Sequence, residues 1–167
     1  MNTKRLVRAA MVAAIYVVLC LVLAPFSYGA VQVRLAEMLC LLPVFGAEYI
    51  VAVTLGCFLA NLLGSTLVDV VFGTTATLVA CLLTYAVRKM RVGGLAIPAA
   101  VPPIVSNAVI VGALELTFFL PGVTGTAALA AWNALTVGIG EVVSCGILGV
   151  ALVLMESNAG LRRLFCE

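Results

Sequence analysis

The chain has 167 residues, of which 65% are hydrophobic and 10% charged, with a formal net charge of +2 and a mean hydropathy of +1.28. A soluble domain is about 45–50% apolar and about 25% charged, and a chain this short cannot hide so much apolar surface within itself. Lipid must therefore solvate its outer face, and so small a positive charge argues against a nucleic-acid partner. The chain contains no histidine, which removes the usual general base and the commonest metal ligand. Its six cysteines show no Cys-x-x-Cys spacing, so neither a metal site nor a disulfide framework is expected.

Six apolar segments follow one another. The first, residues 6–24, stands behind Lys4, Arg5 and Arg8; its apolar run is longer than the core of a signal peptide, so it is read as a span. A turn-rich loop with Pro25, Ser27, Tyr28 and Gly29 leads to the second segment, 34–45, which is too short to span unless neighbouring helices shelter its ends. The third covers 48–63 and the fourth 70–87. A basic, Gly-containing loop then precedes the fifth, 98–120, and a tight turn precedes the sixth, 126–155. The expected fold is an all-α integral membrane protein, a single domain over 1–167 built as a bundle of six transmembrane helices. Six passes put Lys4, Arg5, Arg8, Arg88, Lys89, Arg91, Arg162 and Arg163 on one side, the cytoplasm, and leave only Arg34 outside. Both termini are then cytoplasmic.

An ionisable side chain within a bilayer costs on the order of 2.5–3.5 kcal/mol at a helix centre, so each one asks for a reason. Arg34 and Glu37 fall at the outer start of the second segment, three residues apart, where helical side chains meet. They form either a local ion pair or the anchor of the first outer loop, Pro25 to Val33, as a lid over a site. Asp69, before the fourth segment, is either a helix N-cap or part of such a site. Asn61 and Asn107 are either interhelical hydrogen-bonding residues or ligand contacts. Trp132 is either an interfacial anchor or, like Phe72, a stacking surface. Asn107, Val111 and Glu115 line one stripe of the fifth segment, and Asn133, Val137 and Glu141 one stripe of the sixth. Facing each other, these stripes enclose a polar pocket that opens outward. No basic residue is expected at the depth of Glu115 and Glu141, so their natural partner is a ligand: a flat heterocycle rich in N–H donors, whose paired donors suit a carboxylate. At the cytoplasmic start of the first segment, "RAAMVAA" pairs Ala9 with Ala13 and Ala10 with Ala14, a small-residue spacing that admits another helix. No phosphate-binding Gly-x-x-x-x-Gly-Lys-Ser/Thr loop and no nucleophile–base pair occurs, so the chain is not expected to be an enzyme or to hydrolyse ATP alone.

Taken in order, "YGAVQVRLAEMLCLLPVF", "GCFLANLLGSTLVDVVFGTTATLVACLLTY", "PPIVSNAVIVGALEL" and "LTVGIGEVVSCGILG" resemble the queuosine-precursor transporter (QueT) family, substrate-binding (S) components of energy-coupling factor transporters. The resemblance implies a six-helix S component of a prokaryotic plasma membrane with a site near the outer face. It also implies 7-deazaguanine bases or queuine as substrates, whose carbonyl an amide of Asn107 or Asn133 would then serve, and as partners a membrane coupling (T) protein and two cytoplasmic ATPases. ATP is then expected only on those partners, with no cofactor and no metal in this chain. Its matched polar positions are Arg34, Glu37, Asn61, Asp69, Asn107, Glu115 and Glu141; the Ala9–Ala14 pattern resembles the alanine motif that contacts the coupling subunit. The alternatives are an S component for another nitrogen heterocycle or vitamin, and a structural membrane subunit without a ligand.

Overall fold

A computed structural model describes residues 3–23, 34–119 and 122–156. Six helices account for nearly all of them: α1 (Thr3–Val22), α2 (Leu35–Val44), α3 (Glu48–Gly64), α4 (Leu67–Ala86), α5 (Ile97–Phe119) and α6 (Ala127–Met155). Their starts follow local chemistry. Thr66 and Thr126 cap α4 and α6, each hydroxyl accepting a backbone N–H three residues on, from Asp69 and Leu129, at 3.2 Å. Pro98 stands in the first turn of α5, where its missing N–H has no helical partner to lose. Between α4 and α5 the chain reverses through Gly93 (φ 58°) and Gly94 (φ 81°), and Val92 and Leu95 exchange two backbone hydrogen bonds of 3.0 Å across the turn. Two successive left-handed residues make this a tight reversal that glycine adopts without steric cost.

Four helices, α1, α4, α5 and α6, are long and apolar enough to cross a membrane. Large apolar side chains such as Leu6, Met11, Ile15, Val51, Leu82, Val105 and Ile147 are exposed on the outside of the bundle. In water that surface would be a severe aggregation liability; in a bilayer it is the solvated face.

The second segment resolves differently from an α-helix. Leu35–Val44 winds as a 3₁₀ helix, with Pro43 inside it. At about 2.0 Å of rise per residue, against 1.5 Å for an α-helix, its ten residues reach ~20 Å instead of ~15 Å. It is buried nearly all round, with Ala36, Leu39, Cys40, Leu41 and Leu42 in the core, so its neighbours shelter it along its length.

Helices α5 and α6 share a second irregularity. Each runs as an α-helix to a buried polar residue, Asn107 or Glu141, and then widens to i→i+5 hydrogen bonding, over Ala108–Phe119 and Val142–Gly149. Such wide turns are frequent at functional sites.

Candidate binding site in the membrane interior

Among the described residues four acidic ones lie inside the bundle: Glu37, Asp69, Glu115 and Glu141, each at most 6% exposed. The one cation that ion-pairs with an acid of this group, among the described residues, is Arg34. It is the residue before α2, with extended backbone (φ −92°, ψ 93°) that carries its side chain off the helix path. For this reason the Arg34–Glu37 pair does not form. The Arg34 guanidinium instead meets both carboxylate oxygens of Asp69 at 3.3 Å. Asp69 is not the cap of α4, a role Thr66 takes. Its carboxylate is held by Arg34 and by the Ser65 hydroxyl. Gly73 makes this arrangement possible, since a Cβ there would stand 2.7 Å from Asn61 Nδ2 and 2.9 Å from Asp69 Oδ1.

Glu37 is buried in the bundle. Cys40 lies three residues on, and in a 3₁₀ helix such residues eclipse, so its thiol donates to Glu37 Oε2 at 2.9 Å. Tyr16 of α1 donates its hydroxyl to Glu37 Oε1 at 2.5 Å, and Asn107 of α5 donates Nδ2 to Oε2 at 3.4 Å. Glu37 is thus an interior junction between three helices. The first outer loop, Pro25 to Val33, expected as a lid, lies outside the described residues. Glu141 accepts from the Cys145 thiol at 3.2 Å, one turn along α6. Glu115 is 2% exposed, and its Oε2 has no hydrogen-bond partner among the described residues.

A small cavity joins these parts. Arg34, Asn107, Val111, Val137 and Glu141 line it, and its volume of about 10 Å³ is about that of a single water-sized sphere. The two expected stripes do face each other here: Val111 and Val137 form its apolar walls, and Asn107 and Glu141 its polar ones. Ligand sites usually measure about 300–1,000 Å³, so this is a contracted arrangement. Its chemistry is nonetheless distinctive. Three buried acids, Glu37, Glu115 and Glu141, have no ion-pair partner among the described residues, while Arg34 is paired with Asp69.

Residues 6–157 match the family model for the QueT transporter. The chain belongs to the QueT transporter family. It is also 46% identical, over 80 residues, to the "Queuosine precursor transporter QueT" of Lactococcus lactis subsp. cremoris (strain MG1363). That alignment spans 47% of this chain and 47% of the relative, about half the length of each. No solved structure matches. Family membership and the apolar helices together make this a multi-pass protein of the cell membrane.

Several residues singled out in the sequence stand elsewhere in this QueT-family fold. Trp132 is 63% exposed on the outside of α6, where a tryptophan serves as an interfacial anchor, and it does not line the cavity. Phe72 packs on Phe119 with ring centroids 4.5 Å apart. Asn133 donates Nδ2 to Thr117 Oγ1 at 3.1 Å and ties α6 to α5. Asn61 donates Nδ2 to the Asp69 carbonyl at 3.1 Å, so it holds α3 against α4. The alanines of α1 divide by face. Ala9 and Ala13 are buried, with the Ala13 carbonyl pressed against Gly56 of α3, while Ala10 and Ala14 face outward. Sequence reasoning passed over Tyr16, Cys40, Cys145 and Ser65. Each is an ordinary apolar-segment or connector residue until a carboxylate from elsewhere is placed beside it.

Proposed function

We propose that this chain is the substrate-binding subunit of an ATP-driven importer for queuosine precursors. It takes up a 7-deazaguanine base or queuine at the outer face and delivers it through a coupling subunit driven by two ATPases. Both termini lie in the cytoplasm. The observation that carries the reading is the surplus of buried acid: Glu37, Glu115 and Glu141 lie inside the bundle without an ion-pair partner among the described residues, and Glu141 lines a cavity whose cation, Arg34, is already paired. A bilayer-buried carboxylate without a partner is costly, and a donor-rich or cationic base offsets that cost when it binds. The family match and the name of the Lactococcus lactis relative support queuosine precursors as the class of base.

Delivery includes a change of shape. A nanomolar base of about 13 heavy atoms needs close to −1 kcal/mol per atom, near the ceiling for tiny ligands, and so must be wrapped on most sides. The cavity must expand around it, and the two walls that part are α5 and α6 on one side and the Arg34 end of α2 on the other. The outward face of α1, with Ala10 and Ala14, is the docking surface for the coupling subunit; Ala9 and Ala13 belong to the chain's own core.

The deciding experiment is mass spectrometry of small molecules that co-purify with the protein, followed by equilibrium dialysis with the base found. Recovery of a 7-deazaguanine is the expected result. A vitamin or an unrelated heterocycle in its place refutes the substrate class, and no bound molecule together with no measurable binding of any deazaguanine refutes the reading as a whole.

A further inference from the structure

A side-chain amide presents two opposite faces to a ligand, an NH₂ that donates and a carbonyl that accepts. For Asn107 the surroundings decide which face meets the cavity. Its Nδ2 lies 3.4 Å from Glu37 Oε2, an oxygen of a buried carboxyl group, and an ionised carboxylate only accepts. The NH₂ end therefore turns toward Glu37 and the carbonyl end away. This orientation follows from the chemistry of the neighbour, which is the sound basis for assigning an amide. Glu37 is itself firmly held, by the Tyr16 hydroxyl at 2.5 Å and the Cys40 thiol at 2.9 Å, while the Cys145 thiol reaches its backbone carbonyl at 3.1 Å. Glu37 does not line the cavity, whereas Asn107 and Glu141 do.

We infer that Glu37 is a positioning residue that holds Asn107 as a hydrogen-bond acceptor, so that Asn107 and Glu141 form an acceptor row selecting a ligand edge with an exocyclic amine beside a ring N–H. This reverses the expectation that Asn107 serves a ligand carbonyl. That task falls to Arg34, the donor lining the same cavity. The inference rests on the queuosine-precursor reading and deepens it, because a 7-deazaguanine carries such an edge. Glu141 takes the ring N–H and the nearer amine hydrogen side by side, and Asn107 Oδ1 takes the outer one.

The test compares two probes on purified, full-length protein by equilibrium dialysis: 7-deazaguanine and 7-deazahypoxanthine. They share the carbonyl and the ring N–H and differ only in the exocyclic amine. Wild type prefers 7-deazaguanine by about tenfold or more, because the acceptor row is left unmet by the other probe. In Glu37→Gln the new amide donates to Asn107, which turns its carbonyl toward Gln and its NH₂ toward the cavity, and the preference falls below about threefold. A merely structural role for Glu37 would weaken both probes together and leave their ratio intact. Asn107→Leu, similar in size, covers the case in which Glu37→Gln does not fold. It removes the Asn107 acceptor, so the preference again falls below about threefold. A preference of about tenfold retained in either folded variant overturns the inference. Equal binding of both probes by wild type overturns it while the substrate reading stands; binding of neither removes that reading and the inference with it.

Discussion

Replacing Arg34 by Met should expose how strongly the bundle depends on its interior ion pair. At 3.3 Å and an effective dielectric of about 20, the gross attraction between Arg34 and Asp69 is ~5 kcal/mol. The two side chains are 24% and 9% exposed, so desolvation cancels part of that attraction, and a net coupling of about 2–3 kcal/mol is expected. Arg34→Met leaves Asp69 charged among the other buried acids and should cost about 3 kcal/mol. Asp69→Asn keeps a carbonyl for Ser65 and leaves Arg34 free to turn toward Glu141, so its cost should be nearer 1 kcal/mol. In the double variant no charge is left unpaired at this position, and most of the loss should return. The assay is a double-mutant cycle on reversible unfolding in mixed micelles, with protein and detergent concentrations held constant. A coupling below about 0.5 kcal/mol, or a double variant as unstable as the two losses added together, refutes the ion-pair account.

Glu115→Gln should cost no stability, because it keeps the size of a buried acid whose Oε2 has no hydrogen-bond partner among the described residues, and should weaken binding of a deazaguanine at least about tenfold; melting and dialysis on one preparation check both, and a drop in stability contradicts the claim. Tyr16→Phe deletes the donor to Glu37 Oε1 and should cost about 1.5–3 kcal/mol of stability, read by the same unfolding assay. Trp132→Leu should leave ligand affinity within about twofold of wild type, since its ring stands on the outer surface. The two faces of α1 should separate cleanly. Ala13→Leu overpacks the contact with Gly56 and should cost about 1–3 kcal/mol, whereas Ala14→Leu should melt like wild type yet abolish uptake in cells that contain the coupling subunit.

Much of this protein is legible in one dimension because a bilayer imposes few choices. Every backbone group in the hydrocarbon must be satisfied within the protein, so six apolar runs of helical length, four of them long enough to span, already point to an all-helical bundle. The same economy marks Arg34, Glu37, Asp69, Asn107, Glu115 and Glu141 as unusual, since charges and amides are expensive there whatever they touch. The opposed stripes through Asn107–Glu115 and Asn133–Glu141 follow from helical repetition alone. Where the winding departs from an α-helix, inference along the chain falters. Nothing local announces that residues 35–44 wind as a 3₁₀ helix, which lets a short segment reach farther and sets Cys40 over Glu37.

Pairing was the part that only three-dimensional packing could decide. Arg34 lies three residues from Glu37 in the chain, yet it pairs with Asp69, thirty-five residues away, because its extended backbone aims the guanidinium across the bundle. Tyr16 looks like lipid-facing filler until α2 brings Glu37 to its hydroxyl. The orientation of Asn107, and with it the hydrogen-bonding sense of the cavity, depends on the Glu37 carboxyl group carried by another helix. The cost of a buried polar group is a property of the residue and its medium, visible in sequence; the group that relieves that cost is a matter of distance, and distance between helices exists only in the fold.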